Sequence, residues 1–257
     1  MKTKTIGPFI VSILFFAGTA GAEEIRVMTS GAFTAAYLQV IPDFERTNHI
    51  KIVTAFGASM GNAPDSIPSR LQRGEPVDVV ILAAGALDEL IQQGKVVPGS
   101  RVDLVRSSIG VAVRAGAPKP DIGTIDALKR TLLEAKSIAY SDSASGVYLS
   151  HEMFQRLGIA DQIKAKCQRI ASEPVGAVVA RGDAEIGFQQ ISELLPVAGI
   201  DYVGPLPREV QRVTVFSAGV AVGAKRPDAA RALIKFLASP GVAPVIKKTG
   251  LEPVVKF

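Results

Sequence analysis

The sequence predicts an α/β protein of two lobes, each a mainly parallel sheet flanked by helices, with two strands crossing between the lobes. Three observations support this prediction. Strand, small polar loop and helix follow one another repeatedly along the chain. Residues 108–113 (SIGVAV) and 217–222 (SAGVAV) resemble each other, and each is followed by a Gly-Ala pair and a proline. A second set of strands and helices lies between these two segments, which therefore mark the predicted crossings.

Residues 1–22 are predicted to be a secretory signal peptide and to lie outside the fold. Lys2 and Lys4 form a positive start, residues 6–16 are apolar, and small residues precede the expected cleavage after Ala22. The apolar stretch is too short to span a membrane. The sequence therefore predicts a periplasmic protein, with no lipid anchor because no cysteine follows the cleavage site.

Composition argues against several classes of protein. The net charge is +5, Trp is absent and aromatic residues make up 6% of the chain, so there is no basic stacking platform for nucleic acid. Cys167 is the single cysteine, which excludes an internal disulfide, and we expect an inert thiol. We predict a monomer, with no metal, no cofactor and no nucleic-acid partner.

The first lobe is predicted to comprise residues 23–107 and 217–257. Strands are expected at 24–28, 51–56 and 77–82, and the last has the continuous apolar character of a parallel strand buried on both faces. The segments that follow these three strands predict helices that begin near residues 33, 69 and 85. Pro42 is expected to kink or split the first of these helices. Helices at 228–237 and 242–248 complete this lobe.

The second lobe is predicted to comprise residues 108–216. Its helices are expected at 126–135 and 175–181, and its strands at 138–140, 168–170 and 184–188. Ligands of open parallel sheets lie beyond the carboxyl ends of the strands, so the loops there are the candidate site. One extended sheet instead of two lobes remains the alternative.

The stretch 137–159 offers the clearest candidate for an anion site. A short apolar strand leads into six small or polar residues and then into a helix. The first amides of a helix are unpaired inside it, and the helix dipole favours negative charge there. Gly146 would let a ligand approach the backbone, while Ser143 and Ser145 add hydroxyl donors. The alternative is that one of these serines only caps the helix.

The chain resembles the extracytoplasmic solute-binding proteins of ABC importers, and within them the molybdate-binding group with type II topology. The segments that carry the resemblance are 27–36, 56–74, the overlapping RLQRGEPVDVVILAA (residues 70–84), SGVYLSHEMFQRLGI, VVARGDAEIGF and LIKFLASPGVAPVIKKTGLEP. The resemblance implies a two-lobe periplasmic-binding-protein fold. It also implies a small anion such as molybdate or tungstate, captured in the cleft and delivered to permease subunits in the inner membrane.

The resemblance further implies a ligand site built from hydroxyls and backbone amides of both lobes. The implied ligand-binding residues are Ser30, Gly31, Ala32, Ser59, Met60, Ser143, Ser145, Gly146, Tyr148, Pro174, Val175, Gln189 and Gln190. The family's first-loop serine falls on Ala32 here, and its ligand tyrosine falls on Gln190. Because the amides of Gln189 and Gln190 both donate and accept, a small organic acid is the alternative ligand.

No catalytic residue is predicted. His49 and His151 are the only histidines, and neither lies near a nucleophile in the predicted elements. The chain has no G-x-S-x-G elbow, no H-E-x-x-H pair and no cysteine cluster. We therefore expect a binding protein. An enzyme, or a sensor domain of the kind found in transcription regulators, is the less favoured alternative.

Overall fold

The computed structural model describes residues 23–254, so the predicted signal peptide lies outside the described residues. The strands are β1 (Glu23–Thr29), β2 (Ile50–Phe56), β3 (Val79–Ala83), β4 (Val102–Arg114), β5 (Ile138–Ser141), β6 (Cys167–Ile170), β7 (Ile186–Gln190), β8 (Ile200–Pro205), β9 (Val213–Val220) and β10 (Glu252–Pro253). The helices are α1 (Gly31–Asn48), α2 (Ile67–Gln72), α3 (Ala84–Gln92), α4 (Ile125–Glu134), α5 (Ala144–Tyr148), α6 (Phe154–Arg156), α7 (Ala160–Ile163), α8 (Val175–Arg181), α9 (Ile191–Leu194), α10 (Pro227–Leu237) and α11 (Ala243–Lys248). A π-helical turn at Leu149–Met153 joins α5 to α6.

The long strand β4 connects the two lobes. The strand order is β2-β1-β3-β9-β4-β7-β5-β6, with β8 and β10 also paired to β4. The first half of β4 pairs with β9, and its second half, from Ile109 on, pairs with β7 and β8. Within the lobes, β2, β1 and β3 are parallel, as are β6, β5 and β7. The predicted class, two mainly parallel sheets flanked by helices, is confirmed.

Apolar packing divides into separate cores on either side of this crossing. In the first lobe, Phe33, Tyr37 and Phe44 of α1 pack with α10 and α11 on one face of the sheet, while α2 and α3 cover the other face. In the second lobe, a large cluster around Leu149 and Phe188 occupies one face, and α8 covers the other. The hydrogen-bonded strands are continuous, but burial of apolar surface, which drives folding, centres on two lobes.

Several elements differ from the prediction. Helix α1 is not split at Pro42. Pro42 and Leu38 are both exposed, so water can bind the Leu38 carbonyl that loses its partner. Strand β9 begins at Val213 and ends at Val220, so the SAGVAV repeat lies in the first lobe beside β3 and is not itself a crossing. Strand β8 was missed, since its Gly-Pro end reads as a turn.

The helices of the described residues differ in length and apolar character from a membrane span, apart from one bent pair. Between residues 23 and 254, no single helix is long and apolar enough to cross a membrane. The pair Pro227–Leu237 and Pro240–Lys248, bent by 51° at the break between them, meets the test of length and composition together. The apolar side chains of both helices pack into the first-lobe core.

Candidate functional site

A cavity of about 210 Å³ lies between the lobes. Its walls are the loops that follow β1, β2, β5, β6 and β7, with Phe216 of β9 closing one side. All five loops leave the carboxyl ends of parallel strands, where the crossover connections of such sheets leave space for a ligand. The cavity is therefore the candidate ligand site of this fold.

Most of the predicted ligand-binding residues meet at this cavity. Those that line it are Ser30, Gly31, Ala32, Ser59, Ser143, Ser145, Pro174, Gln189 and Gln190. They come from both lobes and are separated by up to 160 positions in the sequence. Their convergence follows from the order of the strands, which brings β1 and β2 of one lobe opposite β5 and β7 of the other.

Four predicted residues do not line the cavity. A Cβ on Gly146 would lie 1.7 Å from the Ser141 carbonyl oxygen, so this glycine is required by packing of α5 on β5. The Tyr148 hydroxyl donates to the Val210 carbonyl at 2.8 Å, and Tyr148 lines a separate groove together with Met60. The Val175 side chain is fully buried in the α8 core, although its amide donates to a cavity residue.

Two buried polar atoms in the cavity wall have no hydrogen-bond partner among residues 23–254. They are Ser30 Oγ and Gln190 Oε1, and both side chains are almost fully buried. An unpaired buried polar atom costs about 1–3 kcal/mol, so a ligand that pairs with it gains that free energy. Gln190 Nε2 makes only a 3.4 Å contact with the Thr214 hydroxyl. If the Gln190 amide were flipped, its oxygen could accept from the Thr214 hydroxyl instead, and its NH2 group would face the cavity as a donor to an anion.

Hydroxyls at the helix starts are available to a ligand. Neither Ser30, at the start of α1, nor Ser143, at the start of α5, makes a side-chain capping bond. Ser145 bonds instead to the Ser141 hydroxyl at 3.0 Å. The alternative that Ser143 or Ser145 serves only as a cap therefore does not describe the structure. Unpaired amides at the start of the 18-residue helix α1 favour negative charge at this end of the cavity.

Glu193 is among the cavity residues that the sequence analysis missed. It lies on the short helix α9 just after β7, and its Oε1 accepts a 2.9 Å hydrogen bond from Gln189 Nε2. The side chain keeps some exposure because it lines the cavity, but protein packs closely around its carboxyl group. Burial raises the pKa of Glu193 to about 7, even though the Gln189 hydrogen bond acts to lower it. The sequence offered no signal for this contact, because Gln189 lies on strand β7 and Glu193 on the short helix that follows it, so their four-residue spacing is not that of one helix face.

The first lobe approaches the Glu193 carboxyl closely. A Cβ on Gly31 would lie 1.9 Å from Glu193 Oε1, so only glycine at the start of α1 leaves room for this carboxyl. Nearby, the Ser192 hydroxyl donates to the Ala32 carbonyl at 2.7 Å. Helix α9 of the second lobe is thus docked on the start of α1 in the first.

The other acidic residues of the cavity wall have partners of their own. Asp142 forms an ion pair with Arg169, and Glu173 forms one with Arg181 at 2.8 Å, which lowers the pKa of Glu173. Asp65 accepts a 2.8 Å bond from the Ser172 hydroxyl, and this contact joins the two lobes across the cavity mouth. Glu193, whose partner is a neutral amide, is the acid with the most perturbed proton affinity.

Metal-binding and histidine chemistry find no support in the part of the chain that the structure describes. Residues 23–254 contain no group of three or more His, Cys, Asp or Glu side chains placed to hold a metal ion. His49 and His151 are exposed, and neither lines the cavity. The polar groups that line the cavity are hydroxyls, amides and carboxylates.

Ser59→Ala is expected to destabilise the fold. Ser59 is fully buried, and its hydroxyl accepts a 2.9 Å hydrogen bond from the Ala83 amide that precedes α3. Removal of the hydroxyl leaves that amide unpaired, which should lower the free energy of unfolding by about 1–3 kcal/mol in urea titrations. Ser143→Ala is the control, since its hydroxyl caps nothing. Equal stability of the two variants would contradict this role.

Comparison with known proteins identifies the class. The family described as bacterial extracellular solute-binding protein matches residues 25–252, and the chain belongs to this family. Aconitate isomerase of Pseudomonas sp is 45% identical over 254 residues, which cover 99% of this chain and 97% of that protein. Molybdate-binding protein ModA of Azotobacter vinelandii is 27% identical over 242 residues, covering 91% of this chain and 92% of ModA.

Solved structures agree with this fold. The periplasmic molybdate-binding protein of Azotobacter vinelandii has a TM-score of 0.71 at 21% identity, covering 91% of this chain and all of that one. The sulfate-binding protein SubI of Mycobacterium tuberculosis also has a TM-score of 0.71, at 18% identity, covering 90% and 87%. The predicted type II solute-binding fold, related to the molybdate-binding proteins, is confirmed.

Proposed function

We propose that this chain binds a small polycarboxylate of the aconitate class in the inter-lobe cavity and isomerises it, with Glu193 moving the proton. The observation that carries the proposal is the Glu193 carboxyl itself, which lines the cavity and has a pKa raised to about 7. A carboxyl group with this proton affinity can accept and return a proton at neutral pH. The relative named aconitate isomerase, similar over nearly the whole chain, supports this substrate class.

The chemistry requires one acid–base group and no other reagent. The cis and trans isomers of aconitate differ about a carbon–carbon double bond. A base removes a proton from the methylene carbon, and the C–H electron pair spreads over the adjacent double bond as an allylic anion. Return of the proton to the former vinyl carbon moves the double bond and can change its geometry. Atoms and electrons balance without an oxidant or a metal.

Neutral donors in the cavity would hold the substrate carboxylates. Among the described residues that line the cavity there is no lysine or arginine. The hydroxyls of Ser30 and Ser143, the flipped amide of Gln190 and the first amides of α1 are the groups available. Hydrogen bonds to a charged acceptor are stronger than those between neutral groups. Several such donors would also stabilise the extra charge of the allylic anion.

Transport is the second candidate function, and family membership favours it. In that role the protein would capture a small anion in the periplasm and pass it to the permease subunits of an ABC importer. The ligand would be a small organic acid or an oxyanion of the molybdate type. This proposal includes export with cleavage after Ala22 and a monomeric state. It also includes a first lobe of residues 23–107 and 217–257 and a second lobe of residues 108–216. Because β9 pairs with the first half of β4 from Val213 onward, its pairing favours a return of the chain to the first lobe near Val213.

Proton NMR of the purified protein with cis-aconitate in D2O tests the proposal. We expect saturable formation of trans-aconitate, with deuterium entering the methylene position because the transferred proton exchanges with solvent. Calorimetric titrations with both aconitate isomers and with molybdate accompany it. Tight binding of an aconitate isomer without conversion would overturn the isomerase assignment and support transport of a carboxylate. Binding of molybdate alone would overturn the carboxylate assignment.

A further inference from the structure

Gln189 links the second-lobe helix α8 to the Glu193 carboxyl. Its side chain is nearly fully buried at the end of β7. Its Oε1 accepts a hydrogen bond from the Val175 amide at 2.9 Å, and its Nε2 donates to Glu193 Oε1 at 2.9 Å. Two hydrogen bonds in series therefore join a backbone N–H to the carboxyl group that the proposed isomerisation uses.

The direction of this chain of bonds is determined by the backbone. The Val175 N–H can only donate, so the oxygen of Gln189 must face it. If the amide flipped, two donors would face each other at Val175, and two acceptors would face each other at the ionised Glu193 carboxylate, so both bonds would be lost in the basic form. Gln190 is different, since the Thr214 hydroxyl beside it can either donate or accept. The backbone therefore orients Gln189 and leaves Gln190 free to flip.

The carboxyl is held from the opposite side as well. Gly31 of α1 leaves space for Glu193 Oε1 that a methyl group would fill. The charged groups on the facing loops are Asp142 with Arg169 and Glu173 with Arg181, while Asp65 bonds to Ser172. Each of these acids has its own partner, and within residues 23–254 the side chain that donates to the Glu193 carboxyl is Gln189.

We propose that Gln189 is a positioning residue for Glu193, and that the Val175 backbone N–H fixes the direction in which Gln189 donates. The inference rests on the proposed role of Glu193 as the proton-transfer group. A donor to the ionised carboxylate favours the basic form that must accept the proton, and it fixes which oxygen faces the cavity. Gln189 itself need not touch the substrate.

Paired substitutions at Val175 isolate the backbone N–H. Val175 is the first residue of α8, where proline is well tolerated, and Pro174 before it already has φ −65° and ψ 133°, which suit a residue that precedes proline. Val175→Pro replaces the N–H by a ring carbon that also crowds Gln189 Oε1, so the bond to Gln189 is lost. Val175→Ala keeps the N–H and controls for loss of the buried valine methyl groups. Gln189→Met removes the donor at nearly constant volume. Urea titrations of all three variants establish that they are folded.

Carbon-13 NMR of the Glu193 carboxyl against pH is the decisive measurement, because it does not depend on turnover. We expect the pKa of Glu193 to rise in Gln189→Met and in Val175→Pro and to stay at the wild-type value in Val175→Ala. If aconitate is converted, kcat at pH 7 should fall about tenfold or more in the first two variants, with its pH profile shifted upward. If aconitate is not converted, the carbon-13 titration still decides the role of Gln189.

Two results would overturn the inference. One is an unchanged pKa of Glu193 in folded Gln189→Met. The other is identical titration of Glu193 in Val175→Pro and Val175→Ala, which would remove the orienting role of the N–H. If Gln189→Met does not fold, the Val175 pair decides the inference by itself.

Discussion

Glu193→Gln is expected to lower kcat for aconitate isomerisation by about 10²- to 10⁴-fold, the usual contribution of a positioned acid–base group. Glutamine keeps the size of the side chain and can still pair with Gln189 through its oxygen. It cannot accept the substrate proton. Binding of trans-aconitate should therefore change little, and the loss should fall on kcat. NMR turnover assays and calorimetry on the same preparation separate the two effects.

The same substitution should change how stability depends on pH. Burial raises the pKa of Glu193 from 4.5 to about 7 in the folded protein, so the folded state holds this proton more tightly than the unfolded chain. That preference stabilises the wild type fully below pH 4.5 and is lost as pH rises through 7. A glutamine carries no charge at any pH. Relative to wild type, Glu193→Gln should therefore gain stability between pH 5 and pH 8 in urea titrations.

Glu209→Gln is the matched control for both measurements. Glu209 is exposed on a 3₁₀ turn and does not line the cavity, so the same chemical change there should leave turnover and the pH dependence of stability at wild-type values. Full turnover by Glu193→Gln would show that another group moves the proton. If the stability of Glu193→Gln depended on pH in the same way as that of the wild type, the burial of the Glu193 carboxyl would be contradicted.

Gly31→Ala is expected to lower kcat by about 10²-fold, the cost that a displacement of about 1 Å can have on a reacting group. The added methyl carbon would lie 1.9 Å from Glu193 Oε1 and 2.8 Å from its Cδ, so the carboxyl must move and would leave Gln189. The atoms in conflict belong to the end of a flexible side chain. Alanine also suits a helix better than glycine, so the variant should fold.

Gly85→Ala is the control for that substitution. It makes the same change in the first turn of α3, where a Cβ meets no atom within 4 Å. We expect wild-type turnover and equal or slightly greater stability from this variant. If Gly31→Ala also keeps wild-type kcat and pH profile, then the close approach of α1 to Glu193 has no part in the reaction. Thermal unfolding of both variants verifies that lost activity is not lost fold.

The role proposed for Glu193 is one that sequence motifs would not reveal. Searches for a nucleophile with an adjacent base, or for spaced metal ligands, depend on patterns that recur in sequence. A proton shift can use one carboxyl group whose pKa depends on burial. The sequence around it, QQISEL, is unremarkable for a strand followed by a short helix. Only the surrounding atoms distinguish this glutamate from the other acids of the chain.

The sequence by itself determined the fold class and the loops that form the site. Apolar runs and helical periodicity predicted parallel strands, and the carboxyl ends of those strands are where Ser30, Ser59 and Gln190 lie. These features are local, because they depend on side-chain period and on residues adjacent in the chain. The crossing by β4 could be predicted for the same reason, since one long strand is contiguous in sequence.

Tertiary structure alone decided what each site residue does. Gly146 proved to be a packing glycine and Tyr148 a hydrogen-bonded core residue, while Gly31 gained a role from a carboxyl 162 positions away. The hydroxyl of Ser59 supports α3, and the proton affinity of Glu193 results from burial between α1, β7 and the cavity. Desolvation and close approach depend on atoms brought together from distant parts of the chain, so no local pattern carries them.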